Sequence, residues 1–424
     1  MLFRSVFTVS GKARDNVAVA NVFYSLNGSG WAPAVTANNW TNWTAEVTLT
    51  PGTNTIQAYA MDTVGNFSTT NKASLVYING AEVVWKKVGG GIDAYGQGIA
   101  VDSSGNVYVT GSTYNGENDD YLTIKYNSDG DTVWQKSYDG GSYSSDEGSA
   151  IAVDDTGNVY VTGSGVPSPV TIKYNSIGDI VWQKDNREDL GMQGGYGIAV
   201  DSSGNVYVAG QAVEGDEITI KCNSSGDIVW QKHDGDTGFG IAVDSYGNVY
   251  VIAASENGIN GDYLTTKYNS SGDTVWQKRY DSGSSDGGSA IAVDSSGNVF
   301  VTGSSWNGAN NDYLTIKYNS NGDTVWQKSY DGGYEDRGSG IAVDSSGNVY
   351  VIGVSCDSNG GGDYFTIKYN SNGDTVWQKR YDSGNGMNDY GFGIAVDSSG
   401  NVYVIGYSDT GTNRDYLTIK YRQY

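Results

Sequence analysis

The sequence predicts an all-β chain: a closed ring of seven four-stranded sheets, a seven-bladed β-propeller, preceded by a small β-sandwich. Three observations predict it. The string IAVD recurs seven times, with its Ile at 99, 151, 198, 241, 291, 341 and 394. Each copy opens the same succession of four β-rich strings, and four strands per period of roughly fifty residues is the spacing of a propeller blade. The succession is also out of phase at its two ends. A VVWKK string containing Trp85 stands before the first IAVD, and the last repeat stops after its third string. Residues 81–88 are therefore expected to pair with Leu417–Tyr421, closing the ring and removing an open sheet edge.

Within each repeat we label the strings A (IAVD), B (NVYV or NVFV), C (TIKY-like) and D (VWQK-like). Strand C is centred on Ile124, Ile172, Ile220, Thr266, Ile316, Ile367 and Ile419. Strand D carries Trp134, Trp182, Trp230, Trp276, Trp326 and Trp377, with Trp85 as the seventh. All four are rich in Val, Ile, Tyr and Thr and are bounded by Gly, Asn, Asp and Ser, as strands are. A β-solenoid is the competing architecture, but its coils are shorter and its ends need caps.

Composition narrows the function classes. With 61 Gly but only 4 Pro among 424 residues, the chain is neither collagen-like nor Pro-rich. Its 33 Tyr and 11 Trp exclude an acidic disordered tail. A formal charge of −23 argues against a nucleic-acid partner. No apolar run is long enough for a spanning helix. One histidine, His233, and two distant cysteines, Cys222 and Cys356, argue against a zinc site or a disulfide framework. Cys222 stands where the other six repeats close strand C with Tyr, and is expected to be a small buried hydrophobe.

The recurring IAVDSSGNVYVTGS…DYLTIKYNSDGDTVWQK resembles the SBBP-type propeller repeat of bacterial and archaeal surface or secreted proteins, a relative of NHL-type propellers. The resemblance covers 81–424. It implies a seven-bladed propeller and carries over no common catalytic residues. Residues 1–80 lack the repeat, and their alternation, as in Thr55-Ile56-Gln57-Ala58-Tyr59-Ala60, indicates half-buried antiparallel strands. The pattern LTPGTN…A-x-D-x-x-GN resembles a bacterial immunoglobulin-like domain, here expected to be truncated at its first strand. The opening MLFRS is not a signal peptide, and Leu2–Ser5 matches the translation of a sequencing adapter. The expectation is two domains, 1–80 and 81–424, forming a monomeric pair within a longer exported or surface-displayed chain.

The seven copies differ unevenly. From the Ile of IAVD to the last Val of NVYV is always ten residues, and so is the span from strand C to the strand D Trp. The B-to-C span is 15, 11, 12, 15, 15, 16 and 15 residues, and the D-to-A connection also varies. Antiparallel strands put A–B and C–D hairpins on one face, standardised, and the variable loops on the other. Those loops hold 29 of the 48 acidic residues, 5 of the 25 basic ones and no Lys. Such a face attracts a basic protein, a cation or a metal ion.

Asp precedes a strand C Tyr at 120, 262, 312, 363 and 415, and follows a strand D Tyr at 139, 281, 331 and 382. Asp120, Asp139, Asp262, Asp281, Asp312, Asp331, Asp363, Asp382 and Asp415 are thus candidate oxygen ligands for Ca2+ in a ring, weighed against carboxylates that merely cap turns. Trp306 is the one propeller Trp outside the repeats. With Tyr114, Tyr143, Tyr334, Tyr390 and Tyr407 it is a candidate platform for stacking a glycan, against a structural role in covering its own loop. Repeats 2 and 3 have the shortest loops, predicting an acidic depression lined by Glu214, Asp216, Glu217, His233, Asp234 and Asp236, with Pro167 and Pro169 stiffening its rim. The NSxGDxVW turn resembles an Asp-box hairpin, a quinoprotein blade spacing and a calcium loop. Its presence in every repeat points instead to structural duty.

No nucleophile elbow, phosphate loop or zinc motif is present. The favoured reading is a non-enzymatic binding or adhesion module engaging a protein, glycan or cation. The alternatives are a lyase or glycoside-acting enzyme working at the channel mouth, and a spacer in a larger surface protein.

Overall fold

The computed structural model describes residues 6–423 apart from 16–17, 50–51, 78–79, 90, 142–144, 166–168, 214, 234–236, 257–259, 359 and 385. The chain divides into two units, residues 1–80 and 81–423. Among the described residues every regular element is a strand, and no helix is long and apolar enough to cross a membrane.

The first unit is a pair of sheets. Val6–Gly11 pairs with Trp43–Thr48, which also holds Val35–Thr36; Val19–Leu26 pairs with Gly52–Asp62, which holds Asn71–Tyr77. Val22 of one sheet, Trp43 and Ala45 of the other, and Ala34 from the segment between them share one buried cluster.

The second unit contains seven four-stranded antiparallel sheets among its described residues. Sheet 1 consists of Ile92–Val101, Val107–Tyr114, Asp119–Tyr126 and Thr132–Tyr138. Sheets 2 to 6 repeat this order over 147–185, 192–233, 237–280, 286–330 and 336–381. Sheet 7 combines Asp389–Val396, Val402–Asp409 and Arg414–Gln423 with a fourth strand from far upstream, Ala81–Gly89. That pairing sets Val88 opposite Leu417 and Trp85 opposite Lys420, the closing strand that the offset ends predict.

The first strands of successive sheets lie against one another, and that of sheet 7 returns against that of sheet 1. Burial follows the same circuit. Tyr403, Ile405 and Tyr416 of sheet 7 share a core with Val107, Val109, Leu122 and Ile124 of sheet 1. Strands B and C are buried on both faces between neighbouring sheets, so they read as continuous apolar runs, while strand D alternates.

Two backbone demands explain the recurrent glycines. Gly105 and Gly130 close the A–B and C–D turns at φ +78° and +85°, a region that a side chain disfavours. Gly111 lies where strand A bulges, and a Cβ there would sit 1.8 Å from the Tyr95 carbonyl oxygen.

Candidate functional site

The face of A–B and C–D turns is occupied by its own scaffold. Asp102 Oδ1 accepts the Ser104 and Asn106 amides, and its Oδ2 accepts the Asn106 side chain and, at 2.9 Å, the Tyr108 hydroxyl. Burial works to raise the Asp102 pKa, and these four donors together carry it below the ordinary carboxylate value. Asp201 and Asp344 repeat the arrangement and the shift.

In the C–D turn Asn127 Oδ1 accepts the Asp129 and Asp131 amides. The NSxGD string is therefore an Asx turn rather than a cation loop. The following Trp points across to the next sheet: Trp134 Nε1 donates to the Ser176 carbonyl (3.3 Å), as Trp230 does to Ser270 and Trp326 to Ser371. A strand C lysine donates to the same oxygen, as Lys125 does to Ser176 and Lys317 to Ser371. Sheets 1 to 5 and sheet 7 thus clasp the C–D turn of the sheet that follows. A groove of about 240 Å³ on this face, lined by Asp154, Asp201 and Asp244 among others, has those carboxylates engaged in turn bonds.

The opposite face carries the loops, and there the nine candidate Asp residues do not form one ring. The register sets Tyr313 opposite Tyr330, which places Asp312 beside Asp331 at the start of the connection to the next sheet. That sheet begins with Asp336, and one carboxylate oxygen from each of the three lies within 4.8 Å of the others. Asp262, Asp281 and Asp286 form a second such cluster, and Asp363, Asp382 and Asp389 a third. Asp120 belongs to a fourth group in looser form: burial raises its pKa and the charges of Asp139 and Asp146 add to the effect. Asp415 stands apart from these clusters, bonded to Asn413.

The buried members Asp286, Asp336 and Asp389 were not among the candidates from sequence. A signal was available: Asp lies five residues before the Ile of IAVD at 146, 236, 286, 336 and 389, where repeats 1 and 3 have Ala94 and Gln193. Their role is visible only in space. Asp336 Oδ2 accepts the Gly332 amide at 2.6 Å, while Oδ1 is buried and meets no donor in hydrogen-bond geometry; Asp286 and Asp389 repeat this with the Ser282 and Ser383 amides. The exposed Asp331 Oδ1 accepts the Gly333 amide. Burial raises the pKa of Asp312, Asp336 and Asp363, with neighbouring carboxylates adding to it.

The clusters differ in one partner. Arg279 Nη1 lies 2.6 Å from Asp262 Oδ2, and Arg380 Nη1 lies 2.6 Å from Asp363 Oδ2. The equivalent residue beside Asp312 is Ser329, and Asp312 is bonded instead by Asn307 Nδ2 at 2.9 Å.

The other candidates scatter. Glu214, Asp234, Asp236, Tyr143 and Pro167 lie outside the described residues. Asp216 and His233 are exposed, but Glu217 is buried at the start of its strand, accepting a hydrogen bond from Thr219 and lying against Gly238 of sheet 4. Pro169 is buried. Tyr390 and Tyr407 meet at 5.4 Å between ring centroids, with Arg414 over the Tyr407 ring. Tyr114 on sheet 1, Trp306 on sheet 5 and Tyr334 in the connection from sheet 5 to sheet 6 are exposed, without ring contacts among the described residues. Cys222 is buried, as expected, and burial pushes its thiol pKa up to about 11.

Six segments match the model of the SBBP beta-propeller repeat: 86–117, 138–165, 195–212, 281–309, 331–360 and 380–411. The chain carries SBBP repeats. Each SBBP match contains an A–B strand pair or part of one, and all but 195–212 include residues of the connection leading into it. Sheet 4 falls between matches, and there Ala253 replaces the glycine of the bulge.

Sqt1 from Chaetomium thermophilum, solved bound to the N-terminus of ribosomal protein L10, superposes with a TM-score of 0.50 at 12% identity over 75% of this chain and 84% of that one. A protein of unknown function from Bacteroides caccae gives 0.45 at 15% identity over 65% and 93%. BamB from Moraxella catarrhalis gives 0.42 at 13% identity over 99% and 100%. At these identities the likeness is one of fold alone. No curated protein matches the sequence.

Proposed function

We propose that the chain is a non-catalytic binding module: a seven-bladed SBBP propeller preceded by an immunoglobulin-like sandwich, exported or displayed at a cell surface, that engages a cationic partner through its loop face. One observation carries the reading. The turn face spends its polar groups on clasping sheet to sheet, whereas the loop face holds 29 of 48 acids against 5 of 25 bases and differs from repeat to repeat. A rigid scaffold presenting variable charged loops is the usual arrangement of a recognition surface.

The test is binding of a lysine-rich peptide to the whole chain across a range of salt concentrations. Association should slow steeply as salt rises. Replacing Asp216 and Asp409 on the loop face by Lys should weaken it, while the same change at Asp155 and Asp179 on the turn face should not. Equal losses from both pairs, or a loss from the turn pair alone, would reject the loop face as the binding surface.

A further inference from the structure

We propose that Asp312, Asp331 and Asp336 form a site for a hard divalent cation, Ca2+, at the junction of sheets 5 and 6, and that Arg279 and Arg380 stand in for part of that charge at the two sister clusters. The inference is independent of which macromolecule the loop face engages.

The geometry suits one ion. Calcium takes oxygen ligands at about 2.4 Å, so two ligands of the same ion are separated by at most about 4.8 Å. The three carboxylates offer an oxygen each within that limit. Two of them, Asp312 and Asp336, are at least nine-tenths buried, and Asp331 is exposed, giving access from solvent.

A second observation points to a ligand. Asp336 Oδ1 is shut off from water and meets no donor in hydrogen-bond geometry, the Ser355 hydroxyl giving the carboxylate only a looser interaction; an oxygen so placed costs free energy unless something fills it. Turn formation does not account for it, because the turn is capped by Oδ2 through the Gly332 amide.

Charge balance separates this cluster from its relatives. Among the described residues no Lys or Arg makes an ion pair with Asp312, Asp331 or Asp336. Arg380 sends its charge toward Asp336 from beyond ion-pair distance, being bound to Asp363 Oδ2 and to the Ser355 hydroxyl and carbonyl. In the sister clusters the guanidinium sits on the carboxylate itself and lowers the net charge from three to two. Three carboxylates held together without a counter-charge repel one another; a divalent ion removes that repulsion. The residue that decides is Ser329, exposed and facing Leu314 in the register, as Arg279 faces Leu264 and Arg380 faces Phe365.

The experiment is calorimetric titration of the whole chain with CaCl2, with terbium luminescence sensitised by nearby tyrosines as a second readout. Wild type should show a saturable site. Ser329→Arg, which transplants the sister arrangement, should weaken it about tenfold or more, since ligand charge sets calcium affinity. Asp331→Asn, at an exposed position, should do the same without unfolding, and it decides the matter if Ser329→Arg fails to fold. Arg380→Ser should strengthen binding at the third cluster and add an equivalent. Asp216→Lys should leave calcium binding unchanged while weakening the lysine-rich peptide, so the two proposals fail separately. If Ser329→Arg and Asp331→Asn both titrate like wild type, calcium meets only the general acidic surface and the site does not exist.

Discussion

Replacing Gln423 by Ala tests the clasp between sheets at the one junction where it is built differently. At the ordinary junctions a lysine and a tryptophan donate to a carbonyl in the C–D turn of the next sheet, as Lys267 and Trp276 do to Ser320. Sheet 7 has no such turn, because its fourth strand comes from Ala81–Gly89. The side chain of Gln423 takes the carbonyl's place. Its Oε1 accepts Lys368 Nζ at 2.6 Å and Trp377 Nε1 at 3.2 Å, and its Nε2 donates to Tyr350 and the Gly400 carbonyl. Lys368 is 2% exposed, and burial already pushes its pKa down to about 8. Gln423→Ala takes away the acceptor at 2.6 Å from a buried ammonium and one acceptor from an indole. Losing hydrogen bonds to a buried charged group costs about 2–4 kcal/mol. Urea unfolding followed by tryptophan fluorescence reads the loss directly. Gln423→Glu keeps an acceptor and should retain a larger part of the stability. If Gln423→Ala unfolds within about 0.5 kcal/mol of wild type, a spread typical of neutral surface changes, the side chain does not replace the turn.

Two further predictions follow from the same interactions. Trp326→Ala should destabilise by about 3 kcal/mol, because the ring is 9% exposed and stacked on Gly373, while the more exposed Trp230 should lose less; both folded variants should bind the lysine-rich peptide as wild type does, and a binding loss without a stability loss would contradict a purely structural tryptophan. In chelator, thermal stability should rise as pH falls from neutral toward the unfolded carboxylate value: Asp119, Asp120, Asp312, Asp336, Asp363 and Asp415 have raised pKa values, so just above that value the folded chain binds more protons than the unfolded one. Below the unfolded carboxylate value, about 3.9, the sign reverses, because Asp102, Asp154, Asp201 and Asp344 have lowered values and their stabilisation is lost on protonation. A melting temperature that falls steadily from neutral pH all the way to the unfolded carboxylate value would contradict the raised set.

The sequence by itself determined the repeat, its four strands, its two turns and its closing strand, because each of these is written in local chemistry. Period-two and continuous apolar runs fix strands, Asp or Asn four residues before a turn's end fixes the Asx hydrogen bonds, and Gly fixes the left-handed position. The offset between Trp85 and the final TIKY fixed closure, since an unpaired edge is costly. What only tertiary structure decided are contacts made across sheet junctions. Asp312 and Asp336 are separated by a strand, a loop and a change of sheet; their meeting depends on the register of Tyr313 with Tyr330 and on how sheet 6 packs against sheet 5. The candidate ring of nine carboxylates became separate clusters for that reason. Glu217, read as part of an open depression, is buried because it occupies the strand C position at which Tyr121 reaches the neighbouring sheet. Gln423 has no motif at all: its role exists only because one junction lacks a turn, and a vacancy made by chain topology leaves no mark on the local sequence.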